Sequence, residues 1–338
     1  MVRMLAFVAL LAAAGGTAAD SIALSPWPLD AAAEDAILAL DPERLSAAQV
    51  RDVLAKALAP RVMSFKGSLP GVSMDSFAAY LIAMGYPADR LRNPKDGSFT
   101  YGVREDSAEV VGALAWWYER EGTVPMLVGH SGGGVVVNRV LYDLADAAAD
   151  TKTFRVWNPQ RQAFEARDSV RDPVTGGEVR IAALRVPYAT MFATGYLLRI
   201  FGQLDDVPRL RKIPGTVDEF TGFQILWDPI AGTGGDPAMY EALPATRPAI
   251  VRNVLLPAAT SHIRAFAMED LARDATARAW IDAYQPGGEH DSLARDADVD
   301  VSNLLPAADI WHSVKKHWCL EAQRLIRAHR SATTAPRN

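Results

Sequence analysis

The chain has 338 residues, of which 49% are hydrophobic and 22% are charged, and its formal net charge is −5. This composition is that of an ordinary globular protein with enough residues for a large hydrophobic core. The acidic balance, and the lack of a basic stripe interleaved with aromatic residues, argue against a nucleic-acid partner. Because Cys319 is the only cysteine, no intramolecular disulfide can form.

The first 19 residues have the pattern of a secretory signal peptide. A basic start precedes an apolar stretch over residues 4–14 that is too short to cross a bilayer, and small residues follow at 15–19. We therefore expect cleavage near Ala19 and export to the periplasm or the extracellular space. An ordinary apolar helix is the alternative interpretation of this stretch.

A helical segment and a strand-loop-helix unit come next along the chain. Residues 20–60 are rich in alanine and charge and are predicted to be helical. Residues 61–65 are typical of a buried strand, a glycine-bearing loop follows, and residues 75–84 have a helical pattern. Another helix is predicted over residues 107–121, where apolar side chains recur at helical spacing.

The most informative stretch spans residues 124–144, where an apolar run meets a glycine-dense turn and a helical pattern follows at once. The turn reads Gly129-His130-Ser131-Gly132-Gly133. A serine on a tight strand-to-helix turn adopts a strained backbone, and flanking glycines let neighbouring chain approach it. The N–H of Gly132 would lie at the helix N-terminus, where negative charge is favoured. This context predicts a nucleophilic serine. The alternatives are simple helix packing and a phosphate loop, although such a loop normally carries a lysine that is lacking here.

This turn resembles the nucleophile elbow of the α/β-hydrolase superfamily, in particular that of its lipase and esterase branches. The resemblance implies an α/β fold over residues 61–285, with a mostly parallel central sheet flanked by helices. In this family a loop after an early strand supplies a second oxyanion donor, often from an H-G-X motif. Lys66-Gly67-Ser68 is similar to that motif, with lysine in place of histidine. The N–H of Ser68 is therefore expected to assist that of Gly132, and a plain turn is the alternative.

A cap or hairpin insertion is expected after the nucleophile helix, over about residues 157–222. Residues 154–157 and 178–186 have extended patterns separated by turn residues, which predicts a hairpin-like excursion. Residues 188–201 are strongly apolar and stand where this family inserts its cap. We expect them to form either a lid that lines an acyl pocket or a buried core helix, because periodicity does not separate the two.

Candidate acid and base residues follow two later strands. Residues 223–227 form an apolar run that leads to Asp228, and His262 lies in the short loop after a second run at 250–256. The resemblance requires an acid and then a histidine after the serine, at the edge of the sheet where ligands of open α/β sheets bind. The predicted triad is therefore Ser131, Asp228 and His262.

Other acids and histidines fit these roles less well. Asp236 and the pair Asp205 and Asp206 compete for the role of the acid. Turn, surface or packing roles suffice for the remaining histidines, which are His130, His290, His312, His317 and His329. The last four belong to residues 286–338, which are predicted to be a C-terminal loop and helix.

These assignments predict an exported serine hydrolase that cleaves carboxylic esters through an acyl-enzyme on Ser131. His262 would act as general base and acid, and Asp228 would orient it. The expected substrate is a small-molecule or lipid ester. Amide hydrolysis or acyl transfer would use the same residues. The alternative from a different functional class is a binding or scaffold protein that has the hydrolase fold but lacks efficient catalysis. The sequence neither supports nor excludes contact of the protein with a membrane surface.

A metal or other cofactor is not expected. Asp296, Asp298 and Asp300 begin like a calcium loop. However, Val301 and Ala307 stand where that loop needs glycine and glutamate. The stretch is therefore interpreted as a solvated turn.

Overall fold

The computed structural model describes residues 27–195, 209, 212–234, 237–287 and 303–334. The predicted signal peptide lies outside these residues, as do the competing acids Asp205, Asp206 and Asp236 and the turn that begins at Asp296. In the described part of the chain, no helix is both long enough and apolar enough to span a membrane.

Nine strands and eight α-helices make up the described part of the chain. The strands are β1 (Val62–Phe65), β2 (Met126–His130), β3 (Trp157–Asn158), β4 (Ala163–Phe164), β5 (Ser169–Arg171), β6 (Glu178–Arg180), β7 (Val186–Phe192), β8 (Val217–Ile225) and β9 (Ile250–Leu256). The helices are α1 (Ala31–Leu38), α2 (Ala47–Asp52), α3 (Asp75–Ala83), α4 (Ser107–Glu121), α5 (Gly132–Ala148), α6 (Glu269–Arg273), α7 (Ala275–Ala283) and α8 (Leu304–Thr334).

Five of the strands form one parallel sheet in the order β1-β2-β7-β8-β9. Every residue of β1, β2 and β7 is buried, which explains why these strands are continuous apolar runs rather than alternating ones. The edge strand β9 exposes several residues to solvent. Because all five strands run the same way, their carboxyl ends meet at one edge of the sheet, and this edge carries the candidate site.

A hydrophobic core lies on each face of the sheet. Successive residues of a strand point to opposite faces, so Leu127 packs with α4 and α5 on one face. Its neighbours Met126 and Val128 pack with α3, α6, α7 and α8 on the other face. The protein is therefore a mixed α/β fold with a five-stranded parallel sheet flanked by helices. This confirms the predicted fold class and is consistent with an α/β-hydrolase-like fold.

The C-terminal helix α8 is held on the sheet by buried charged groups. Arg252 of β9 forms ion pairs with Glu219 of β8 and with Asp309 of α8. Lys316 and His317 of α8 also contact Glu219, at 2.9 and 3.2 Å. Burial alone would raise the pKa of Glu219, but His317 and Arg252, with Lys316, outweigh it and hold that pKa well below its ordinary value. Removing one partner would leave a buried charge unpaired, so this cluster fixes the position of α8.

The predicted cap over residues 157–222 is wrong for much of its length. Its first part does form two hairpins, because β3 pairs with β4 and β5 with β6 in antiparallel fashion. Its later part contributes β7 and most of β8 to the centre of the sheet. Tyr188 and Phe192, assigned to a lid or core helix, are buried residues of β7. A short apolar run without period does not distinguish a buried strand from a helix. Residues 196–201 lie outside the described residues.

Candidate functional site

Ser131 lies in the sharp turn between β2 and α5, with φ at 50° and ψ at −118°. A positive φ is uncommon for a residue other than glycine and is strained, and such strain is often found at functional sites. Three hydrogen bonds hold the backbone there. The N–H of Ser131 donates to the carbonyl oxygen of Phe192 at 2.8 Å, and the carbonyl oxygen of Ser131 accepts from Gly134 N–H and Thr194 Oγ1. The end of β7 therefore stabilises the turn.

Two positions of the turn must be glycine because neighbouring backbone atoms lie where a Cβ would be. A Cβ at Gly129 would lie 2.6 Å from the Cα of Gly134. A Cβ at Gly133 would lie 2.2 Å from the carbonyl oxygen of Phe65, the last residue of β1. Both distances are too short for any side chain, so the glycine spacing lets α5 begin directly beside the strands.

The Lys66-Gly67-Ser68 loop lies against this turn, as its predicted role requires. A Cβ at Gly67 would lie 3.2 Å from the Cβ of Ser131. A Cβ at Gly132 would lie 3.4 Å from the backbone nitrogen of Ser68 and 2.3 Å from its Oγ. Gly132 is also the first residue of α5, where backbone N–H groups have no intrahelical partner. The backbone of Ser68 and the N-terminus of α5 therefore lie close to Ser131.

Asp228 and His262, which are distant in sequence, form a buried pair. Their side chains are joined by a 2.6 Å hydrogen bond from His262 Nδ1 to Asp228 Oδ2, and the two residues are 2% and 6% exposed. The other oxygen of Asp228 accepts the N–H groups of Ile230 and Ala231 at 3.0 Å. Burial alone would raise the pKa of Asp228, but these hydrogen bonds lower it below its ordinary value. Asp228 is therefore ionised at neutral pH.

His262 presents a free nitrogen at the site. With Nδ1 donating to Asp228, the neutral ring keeps its lone pair on Nε2, a tautomer assigned from the hydrogen bond. Nε2 is buried and has no hydrogen-bond partner among the described residues, Ser131 included. A base must have such a lone pair to accept a proton, and its hydrogen bond to a nucleophile often forms only when substrate binds.

His130 connects the serine turn to the loop of His262. The sequence predicts a turn or packing role for His130, and its Nε2–H donates to the main-chain carbonyl oxygen of His262 at 2.8 Å. The ring also packs against Phe192 and Phe266. Burial lowers the pKa of His130 to about 4, with the neighbouring His262 adding to the effect, so the ring is neutral at neutral pH. This contact spans the sheet edge from β2 to the loop after β9.

Sequence reasoning missed two threonines that support these residues. Thr194 follows β7 and bonds to the backbone of Ser131. Thr233 accepts the N–H of Asp228 and so closes the turn that positions the carboxylate. Thr194 has only its place just beyond a strand end as a sequence signal, which many threonines share, and Thr233 lies in a longer loop with no distinguishing pattern. No group of three or more potential metal ligands is clustered in the described ranges.

The chain was compared with known proteins in three ways. The comparisons with protein-family models, with curated proteins and with solved structures each found no match.

Proposed function

We propose that the protein is a serine hydrolase that cleaves carboxylic esters through an acyl-enzyme on Ser131. The observation that carries this proposal is one arrangement at the carboxyl edge of the sheet. A serine in a strained strand-to-helix turn lies beside the backbone of Ser68 and the N-terminus of α5, and a buried aspartate–histidine pair with a free Nε2 lies at the same edge. Serine, a neutral histidine and an ionised carboxylate are the groups that acyl transfer by a serine requires.

In the first half of the proposed reaction, Ser131 Oγ attacks the ester carbonyl carbon while His262 Nε2 takes the hydroxyl proton. Asp228 stabilises the imidazolium that forms. The N–H groups of Gly132 and Ser68 donate to the oxygen that becomes negative. When the intermediate collapses, His262 returns the proton to the alcohol oxygen, and the bond between the carbonyl carbon and that oxygen breaks.

In the second half, water attacks the carbonyl carbon of the acyl-enzyme. His262 Nε2 takes a proton from this water and then gives it to Ser131 Oγ as the acyl bond breaks. A carboxylic acid leaves, and the serine is restored. Amide hydrolysis, in which an amine leaves in the first half, and acyl transfer, in which an alcohol replaces water in the second half, are variants of this proposal. We also propose export, on the pattern of residues 1–19.

The proposal is tested with a panel of p-nitrophenyl esters from acetate to octanoate. We expect the wild-type protein to release p-nitrophenol from at least one member with saturation kinetics. Matched panels of anilides, and of esters with an added acceptor alcohol, separate amidase and transferase activity from ester hydrolysis. Turnover of none of these substrates by folded protein would favour a binding or scaffold role.

Replacing His130 by phenylalanine is expected to lower kcat about tenfold and to leave KM nearly unchanged, because one hydrogen bond worth about 1.4 kcal/mol is lost. Phenylalanine keeps the ring that packs against Phe192 and Phe266 but has no N–H to hold the His262 carbonyl oxygen. Steady-state kinetics of His130→Phe and His130→Gln would measure this effect.

Glutamine supplies an N–H in a similar place, so its variant should recover most of the lost kcat. Thermal melting serves as the control for folding. Equal kcat values for His130→Phe and wild type would show that this hydrogen bond does not position the base.

A further inference from the structure

Large apolar side chains are exposed at three positions that adjoin residues of the proposed site in sequence. Leu69 follows Ser68 and is 38% exposed, and Ile263 follows His262 and is 51% exposed. Trp227 precedes Asp228 and is 59% exposed. Eight large hydrophobic residues are exposed in the described part of the chain, and these three come from three separate segments. Single exposed apolar residues are ordinary, but each of these three is the sequence neighbour of a residue assigned to the proposed site.

Trp227 is also held in a strained conformation. Its φ is 55°, a value that is a genuine outlier for a bulky residue. Its N–H donates to the hydroxyl oxygen of Tyr240 at 2.8 Å, and that hydroxyl donates to the carbonyl oxygen of Gly234 at 2.7 Å. The structure thus maintains a backbone that glycine would adopt more easily, while leaving a large indole in solvent. Strain and exposure at one residue are characteristic of a functional position.

Other exposed apolar residues lack this combination. Ile250 and Leu255 belong to β9, the edge strand of the sheet, where some exposure is expected. Neither has a positive φ. Ile250 lies at the beginning of β9, at the opposite end of the strand from the site. It is therefore a suitable control position.

We propose that Trp227, Ile263 and Leu69 bind the apolar acyl chain of the substrate, so that the protein prefers esters of medium-chain acids to acetate esters. This inference rests on the proposed ester hydrolysis. The alcohol departs after the first half-reaction, whereas the acyl group stays bound until water has released it. An apolar surface beside the site therefore serves the acyl group through both halves of the reaction.

The test compares kcat/KM for p-nitrophenyl octanoate and p-nitrophenyl acetate in the wild type, Trp227→Ala and Trp227→Gly. Glycine adopts a positive φ without strain, so the second variant removes the indole while relieving the backbone. Both variants are expected to lower the octanoate-to-acetate ratio of kcat/KM about tenfold, since apolar contact to the longer acyl chain is lost. Ile250→Ala, the control, should keep the wild-type ratio.

A second measurement does not depend on catalysis. Octanoate binding to Ser131→Ala, followed by calorimetry, should weaken about tenfold when Trp227 is also replaced by glycine. Unchanged ester ratios and unchanged octanoate binding would overturn the acyl-chain assignment while leaving ester hydrolysis in place. Lack of any ester turnover, together with Trp227-dependent octanoate binding, would instead contradict the proposed reaction and retain the apolar site.

The rival use of this surface is docking to a lipid bilayer. Sedimentation with phosphatidylcholine vesicles distinguishes it, because the acyl-chain assignment predicts the same small bound fraction for wild type and Trp227→Gly. Vesicle binding that depends on Trp227, combined with an unchanged octanoate-to-acetate ratio, would assign the surface to the membrane and overturn the proposal.

Discussion

Replacing Ser131 by alanine is expected to lower kcat for p-nitrophenyl butyrate about a million-fold, as loss of the nucleophile does in a serine hydrolase. Alanine retains the Cβ of serine, so the strained turn and its three backbone hydrogen bonds should persist. Release of p-nitrophenol measures the rate, and circular dichroism and thermal melting check the fold. The residual rate would come from binding and the backbone N–H groups alone.

Ser68→Ala is the matched control for this variant. The proposed role of Ser68 uses its backbone N–H, which alanine retains, so kcat should remain within about threefold of wild type. The Ser68 hydroxyl is close to Gly132, and its loss tests whether the side chain matters. A Ser131→Ala variant with wild-type kcat would rule out the acyl-enzyme. A severe loss of kcat in Ser68→Ala would show that the hydroxyl of Ser68, and not only its backbone N–H, contributes to catalysis.

Replacing Asp228 by asparagine is expected to lower kcat about 10⁴-fold with little change in KM. Asparagine has the shape of aspartate, and its oxygen can still accept the N–H groups of Ile230 and Ala231. Its amide nitrogen then faces His262 Nδ1, which can no longer donate there. The ring would carry its proton on Nε2 and could not accept one from Ser131. Steady-state kinetics with the same ester measures the loss.

Asp218→Asn provides the same chemical change at the other end of β8 and should leave kcat unchanged. Asp218 pairs with Arg185 at a half-exposed position, far along the strand from the site. If Asp228→Asn kept wild-type kcat, Asp228 would not be the residue that orients His262, and the acid would have to be sought elsewhere.

The lowered pKa of Asp228 also has a consequence for stability. A carboxylate whose pKa is lower in the folded than in the unfolded protein stabilises the fold above the unfolded value of about 3.9. That contribution is lost as the pH falls through the lower folded value. Urea unfolding of wild type and Asp228→Asn should therefore differ more at neutral pH than in strong acid.

The sharp turn at Ser131 was predictable because its evidence is local. The strand, the glycines, the serine and the helix are contiguous in sequence. Close packing at Gly129 and Gly133 permits only glycine at these two positions. Asp228 and His262 followed from a rule of topology, since both come after runs that form strands of one parallel sheet. Their direct contact, and the contact of His130 with the His262 backbone, depend on how remote segments pack, and no sequence pattern records them.

The error in the cap prediction has a physical cause as well. The β7 run is uniformly apolar because both faces of that strand are buried, so it lacks the alternation that would have separated it from a cap helix. The sequence likewise does not indicate that Asp309 and Lys316 of α8 form ion pairs with remote strands. Asp309 pairs with Arg252 of β9, and Lys316 pairs with Glu219 of β8. Both partners belong to strands that are far away in sequence. Buried charge pairs of this kind become evident only when the sheet and the helix are assembled.

The most direct test of the central claim is reaction with an alkyl fluorophosphonate followed by peptide mass spectrometry. Attack by the proposed nucleophile would form a phosphorus–oxygen bond at Ser131 and release fluoride. We predict a single adduct on the peptide that contains Ser131, no adduct in Ser131→Ala, and greatly slowed labelling in Asp228→Asn. The absence of an adduct on folded wild-type protein, under conditions that label a known serine hydrolase, would contradict the account, as would an adduct that leaves Ser131 unmodified.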